Sequence, residues 1–73
     1  MDTLEQILNI TENVKEGQTY CLTLCPTVRT KVLAVRVPTK GRFAGTVCVD
    51  TKDPAGNHRC CSHEFLDYWE LVP

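Results

Sequence analysis

Residues 30–50 read TKVLAVRVPTKGRFAGTVCVD, and the rest of the chain is interpreted from this segment. Apolar side chains alternate with others on both sides of the tetrapeptide PTKG at residues 38–41. Such alternation is typical of half-buried strands, because successive side chains of a strand point to opposite faces. Pro38 cannot donate a ladder hydrogen bond, and Gly41 suits a tight turn. The segment therefore predicts a β-hairpin with strands at 30–37 and 43–50.

The register of this hairpin predicts which side chains form the core. One face of the two strands would be wholly apolar, whereas the other would mix Val32 with small, polar and basic side chains. A slip of one residue would move the apolar set into water, so that set is expected inside. The predicted core residues of the hairpin are Leu33, Val35, Val37, Phe43, Val47 and Val49.

Length and composition indicate one small globular domain spanning residues 1–73, with 42% hydrophobic and 23% charged residues. A domain of this size buries only roughly 60% of its unfolded surface, so a homodimer interface, a metal or a bound partner would help to stabilise it. The first residues are acidic, and the longest apolar run, residues 32–35, is too short to cross a bilayer. We therefore expect a cytoplasmic protein without a membrane segment, whose five cysteines are reduced thiols.

The elements around the hairpin follow from the same reasoning. Residues 2–13 predict a helix, because Asp2 or Thr3 can cap it and apolar side chains recur at helical spacing. The helix is too short to be stable alone, so its stripe should dock on the sheet. Further strands are predicted at 19–25, 58–62 and 69–72, with a loop at 52–57. The docking stripe consists of Leu4, Ile7, Leu8 and Thr11.

The stretch HEFLDYWELV at residues 63–72 combines one predicted helical turn with a short closing strand. This layout resembles the SH3-like small β-barrels, in which a tight turn before a short final strand closes the sheet. The resemblance covers residues 15–73 and is one of architecture, since neither the ALYDY-type motif nor a KOW motif is present. It implies a mostly β fold: an N-terminal helix at 1–14 packed on a five-stranded antiparallel SH3-like barrel at 15–73. It implies no function, because these barrels bind peptides, nucleic acids and protein surfaces alike.

The cysteines and histidines raise the question of a metal site. Cys21, Cys25 and Cys48 should lie on the face opposite the predicted core, where the helix stripe or a second subunit would cover them. Cys21 and Cys25 would be about 13 Å apart on a strand, which is too far for two ligands of one zinc ion. No cysteine pair has the C-x2-C spacing, so we expect idle thiols, no bound metal and no cofactor. The alternative, a small zinc-binding domain, would draw on Cys21, Cys25, Cys48, His58, Cys60, Cys61 and His63.

Catalytic patterns are also missing from the sequence. Cys61 and His63 could share a strand face, but no third group or oxyanion site accompanies them. The chain has no P-loop, no Rossmann glycine pattern and no H-E-x-x-H motif. We therefore expect a protein that is not an enzyme. Phe65 and Trp69 are expected to fill the barrel, which leaves Tyr68 as an exposed aromatic residue.

Charge is segregated along the chain, although the net charge is only −1. Residues 17–49 contain five basic and no acidic residues, and both flanking segments are acidic. A basic hairpin suits either a protein partner or, as the alternative, phosphates of a nucleic acid. The isoelectric point near 6.0 and the burial expected for Phe43 argue against a dedicated nucleic-acid binder. The nucleic-acid alternative rests on Arg29, Lys31, Arg36, Lys40 and Arg42.

These observations favour a small non-enzymatic binding module that acts through a protein partner, as an adaptor or stoichiometric modulator. The expected contact surface is the tip of the hairpin with one exposed aromatic residue. The expected contact residues are Arg36, Lys40, Arg42 and Tyr68.

Overall fold

A computed structural model describes all residues 1–73. The fold is mostly β, with a short N-terminal helix and one sheet of five antiparallel strands, as the sequence predicts. Across the sheet the strand order is β4-β3-β2-β1-β5. The elements are α1 Leu4–Asn13, β1 Thr19–Leu22, β2 Arg29–Arg36, β3 Cys48–Lys52, β4 His58–Cys61, α2 Phe65–Tyr68 and β5 Trp69–Leu71.

The sheet is not closed into a barrel. No backbone pairing joins the edge strands β4 and β5, which pair only with β3 and β1 respectively. The sheet is nevertheless curled, so that its two edge strands approach each other. The guanidinium carbon of Arg59 on β4 lies 5.8 Å from the centre of the Trp69 ring on β5. A cation over an aromatic ring at this distance is an attractive contact. The two edges are thus bridged by side chains.

A β-bulge at Leu33 changes the register of β2. Val32 pairs with Thr51 and Ala34 pairs with Asp50, so Leu33 is the additional residue of the bulge. Before the bulge, even-numbered residues such as Val32 face the core, and after it odd-numbered residues such as Val35 do. The prediction that Leu33 faces the core is therefore wrong, since this side chain is exposed on the opposite face.

The core lies on one face of the sheet, beneath α1 and α2. Val47 and Val49 are fully buried there, as predicted, while Val35 and Val37 pack at its margin. Tyr20 contacts Phe65 edge-on at 4.9 Å between ring centres, and Phe65 stacks on Trp69 at 6.0 Å. Phe65 and Trp69 thus lie in the core, as predicted, although the sheet on which they pack is not a closed barrel. The buried core cluster comprises Ile10, Val14, Tyr20, Val32, Val47, Val49, Phe65 and Trp69.

Helix α1 docks through a different stripe from the predicted one. Ile10 is fully buried and Ile7 partly so, whereas Leu4 is 71% and Leu8 41% exposed. The helix begins with the predicted capping box, in which Thr3 Oγ1 accepts from the Gln6 N–H at 3.2 Å and Gln6 Oε1 accepts from the Thr3 N–H at 2.9 Å. The sequence suggested that α1 would cover the face that carries Cys21 and Cys48. This prediction is wrong, because α1 packs on the opposite, core-bearing face.

The connection between β2 and β3 is a long loop and not a tight hairpin turn. Residues 37–47 contain consecutive turns, in which the Gly45 N–H donates to the Pro38 carbonyl at 2.9 Å and Gly41 has φ of +86°. Strand β3 therefore begins at Cys48, five residues later than predicted. Phe43 lies in this loop and is 58% exposed, so its predicted place in the core is wrong.

Candidate functional site

The sheet face turned away from α1 and α2, here called the outer face, carries a row of aligned side chains. Thr19 lies opposite Lys31, Lys31 opposite Lys52, and Lys52 opposite His58, so the row crosses four strands. Arg29 lies two residues before Lys31 on the same face of β2. The antiparallel register alone therefore gathers three permanently charged cations at one end of the outer face.

These cations surround a groove of about 320 Å³, which we call the basic groove. Its walls combine the basic side chains with the exposed Leu33 and with Pro54 from the loop between β3 and β4. The bulge that turns Leu33 outward is what supplies the apolar wall. The lining residues are Thr19, Arg29, Thr30, Lys31, Leu33, Lys52, Asp53 and Pro54.

The charge of the basic groove is not neutralised within the protein. The ion pairs of the structure join Arg36 to Asp50, Arg59 to Asp53, and His63 to Asp2, and none involves Arg29, Lys31 or Lys52. The acidic lining residue, Asp53, accepts hydrogen bonds from the Asn57 N–H at 2.9 Å and from Asn57 Nδ2 at 3.3 Å. Like charges directly opposite each other destabilise a sheet, so the Lys31–Lys52 pair opposes folding. An anionic group bound between them would remove that repulsion.

Of the predicted contact residues, Arg36 is already engaged within the protein. Its Nε lies 2.8 Å from Asp50 Oδ2, and its Nη2 lies 3.4 Å from Asp50 Oδ1, across the β2–β3 ladder. The hydrogen bond from Arg36 holds the pKa of the Asp50 carboxyl below its usual value. Because its charge is balanced, Arg36 is a weaker contact candidate than the unpaired cations.

Lys40, Arg42 and Tyr68 do not form one surface. Lys40 and Arg42 are exposed in the loop that follows the end of β2. Tyr68 is 56% exposed, but its carbonyl accepts from the Thr23 N–H at 2.9 Å, which places it near the start of β2. The length of β2, about 23 Å at 3.3 Å per residue, separates the two places. The four predicted contact residues Arg36, Lys40, Arg42 and Tyr68 therefore lie in two separate places, and their role in binding stays a prediction.

Two of the residues predicted for nucleic-acid binding, Arg29 and Lys31, do lie together in the basic groove. Lys40 and Arg42 are at the other end of β2 and carry no ion pair. Phe43, which was expected in the core, is exposed beside Arg42. The protein thus has two separate basic regions, the basic groove and the β2–β3 loop, and the loop includes the exposed aromatic side chain of Phe43.

Four of the five cysteines lie in strands, whereas β1 ends at Leu22 and leaves Cys25 in the loop before β2, so its predicted place on the sheet is wrong. Cys48 and Cys60 are near each other on the outer face, and Arg36 Nη2 lies 4.0 Å from Cys60 Sγ. Burial of the Cys60 sulfur, the neighbouring Cys48 thiol and the Asp50 carboxylate raise the pKa of Cys60 to about 11. All five cysteines are free thiols, and no three His, Cys, Asp or Glu side chains lie close enough together to hold a metal ion.

The Cys61 and His63 pair does not have the features of a nucleophilic site. Burial raises the pKa of the Cys61 thiol, which is opposite to the lowered pKa of reactive cysteines. His63 Nδ1 is engaged elsewhere, at 3.1 Å from Asp2 Oδ1. Cys61 therefore lacks the lowered pKa of an activated nucleophile, and no hydrogen bond joins its thiol to His63.

Sequence reasoning missed Lys52 and Leu33 as site residues. Lys52 was assigned to a loop, whereas it is the last residue of β3 and faces Lys31. The predicted hairpin of residues 30–37 and 43–50 would place Val49 opposite Lys31, and only the longer loop and the later start of β3 bring Lys52 there. Comparison with protein-family models, with characterised proteins and with solved structures found no match. Neither helix has the length and apolar character needed to span a membrane.

Proposed function

We propose that the protein is a small non-enzymatic binding module that acts through a protein partner, as an adaptor or stoichiometric modulator. The observation that carries this proposal is the basic groove, where Arg29, Lys31 and Lys52 stand without acidic partners beside the exposed Leu33. Mixed cationic and apolar surfaces suit protein partners, which offer carboxylates and aliphatic side chains together. We therefore propose the basic groove as the surface that contacts the partner, in place of the tip of the β2–β3 loop that the sequence suggested.

The SH3-like barrel architecture is part of the same proposal. Helix α2, a single turn, leads directly into the short final strand β5, and Arg59 bridges the two edge strands through Trp69. These features support a barrel-like arrangement in which the outer face of the curled sheet is free to bind.

The test is affinity capture from extracts of cells that express the protein, using two matched charge-reversal variants. Lys31→Glu/Lys52→Glu alters the basic groove, and Lys40→Glu/Arg42→Glu makes the same change of charge in the distant loop. The proposal expects one identified protein to form a stoichiometric complex with the wild type and the loop variant, but not with the groove variant. Equal capture by both variants, or release of the complex by nuclease, would contradict it.

Nucleic-acid binding is the second candidate function, favoured by five cations of the groove and the β2–β3 loop that make no ion pair, together with the exposed Phe43. These cations are Arg29, Lys31, Lys40, Arg42 and Lys52. Three phosphate contacts in the groove would give a plot of log affinity against log salt with a slope of about −2 on single strands. Fluorescence anisotropy of a labelled single-stranded oligonucleotide between low and high salt measures this slope. An absence of binding at low salt would end this candidate.

A further inference from the structure

We infer that the basic groove binds an extended acidic segment of the partner, with the pattern acidic–x–acidic–x–apolar, an inference that rests on the proposed function. The groove, at about 320 Å³, is at the small end of ligand sites and has room for side chains but not for a folded element. Its occupant must therefore reach it as an exposed segment of chain.

The spacing of the outer-face residues sets the pattern. Arg29, Lys31 and Leu33 follow one another at intervals of two residues along β2 and all line the groove. Side chains at i and i+2 of an extended peptide are about 6.7 Å apart, the same spacing as along a strand. A peptide lying along β2 therefore presents its alternate side chains to Arg29, Lys31 and Leu33 in turn.

The charges define the chemistry of the first two positions. A carboxylate opposite Lys31 would also meet Lys52, because the two lysines are directly opposed across the β2–β3 ladder. The bound carboxylate would replace a repulsion between like charges by two attractions. The third position meets Leu33, whose outward orientation comes from the bulge, so an aliphatic side chain is complementary there.

A protein segment fits this groove better than a nucleic-acid strand does. No aromatic side chain lines the groove, whereas sequence-tolerant binding of single strands relies on stacking of bases on aromatic rings. The isoelectric point near 6.0 also differs from the strongly basic character of dedicated nucleic-acid binders. The groove therefore discriminates in favour of carboxylates next to apolar side chains.

The test is a titration of the ¹⁵N-labelled protein with a synthetic peptide of repeated sequence Glu-Ala-Glu-Ala-Leu, followed by amide chemical shifts. We expect shifts concentrated at residues 29–33 and 51–54. The Lys31→Glu/Lys52→Glu variant should bind at least about tenfold more weakly, equivalent to about 1.4 kcal/mol. The Lys40→Glu/Arg42→Glu variant should bind within about twofold of the wild type, since its charges lie outside the groove. A dispersed amide spectrum of each variant establishes that it is folded, and Lys31→Gln/Lys52→Gln replaces any variant that is not.

Three results would overturn the inference. They are the absence of shifts at millimolar peptide, equal shifts with a peptide in which Gln replaces Glu, and displacement of the peptide by a single-stranded oligonucleotide. The proposed function fails separately, if the partner is captured equally well by the groove variant. A partner that needs the groove while the acidic peptide does not bind would leave the proposed function in place and reject the acidic segment.

Discussion

The Asp2 carboxylate accepts a hydrogen bond from the Val47 N–H at 2.9 Å, and this contact joins the N-terminus to the start of β3, 45 residues away. The same side chain meets His63 Nδ1 at 3.1 Å, and the Asp2 N–H donates to the Gly45 carbonyl at 3.1 Å. Asp2 thus connects the N-terminus, the β2–β3 loop and the segment before α2. Its side chain is only 9% exposed, so these hydrogen bonds are shielded from water.

Replacing Asp2 by Ala should lower the free energy of unfolding by about 1.5–3 kcal/mol, the range for hydrogen bonds to charged groups. Urea denaturation followed by Trp69 fluorescence measures the change. Asp67→Ala is the matched control, because this exposed carboxylate makes no side-chain hydrogen bond or ion pair. Equal, small effects of both substitutions would show that the Asp2 contacts do not stabilise the fold.

The bulge in β2 predicts opposite outcomes for two neighbouring residues. Val32 is 1% and Leu33 36% exposed. Val32→Ala should therefore destabilise the protein by about 2 kcal/mol, through lost burial and the cavity left behind. Leu33→Ala should change stability by less than about 0.5 kcal/mol, as surface substitutions do. Thermal or urea denaturation of the two variants measures both changes. If Leu33→Ala loses more free energy of unfolding than Val32→Ala, the bulged register of β2 is incorrect.

Acid should destabilise the protein partly through Asp50. The hydrogen bond from Arg36 lowers the pKa of Asp50 in the folded state, so the folded protein binds this proton less readily than the unfolded chain does. The stabilisation is complete above the unfolded value near 3.8 and is lost as the pH falls through the lowered value.

Asp50→Asn should accordingly flatten the decline of the free energy of unfolding below about pH 4. Urea denaturation at a series of pH values compares the slopes of the wild type and this variant. Parallel slopes would mean that the Arg36–Asp50 pair is not formed in solution.

Cys60 should be a slow thiol in spite of its exposed position. Raising its pKa from 9.0 to about 11 reduces the thiolate fraction at neutral pH about 100-fold. The higher intrinsic nucleophilicity of the more basic thiolate recovers about a factor of ten, so an aromatic disulfide reagent should react about tenfold more slowly than with an ordinary cysteine.

Cys48→Ala provides the control for this prediction, because it removes one of the groups that raise the pKa of Cys60. Its Cys60 should react faster than in the wild type, as measured by mass spectrometry of timed digests. If Cys60 of the wild-type protein reacts as fast as an ordinary cysteine, that result would contradict the arrangement of Cys48, Asp50 and Cys60.

The sequence predicts the class and order of the elements because the local signals are strong. Alternating valines, the capping residues Thr3 and Gln6, and the aromatic residues Phe65 and Trp69 each point to what is found. These signals depend on residues near each other in the chain, or on a period that holds over a whole strand.

The errors arise where an irregularity breaks such a period. One additional residue at Leu33 reverses the faces of β2 without interrupting the apolar pattern, because Val32 and Val35 are equally apolar. Phe43 looks like a core residue, but the turns between Gly41 and Gly45 lengthen the loop and leave it exposed. The basic groove could not be assembled from the sequence because Lys52 reaches Lys31 only through the register of β3.

The central claim has two parts. The opposed Lys31 and Lys52 lower the stability of the folded protein, and together they bind a carboxylate of the ligand. Lys52→Glu tests it with two readouts on one variant, and Lys40→Glu controls for the change of net charge. We expect Lys52→Glu to raise the free energy of unfolding by about 0.5 kcal/mol, since an opposite-charge pair replaces a like-charge pair. The same variant should bind the Glu-Ala-Glu-Ala-Leu peptide at least about tenfold more weakly. A variant that is less stable than the wild type, or that binds the peptide equally well, would contradict the claim.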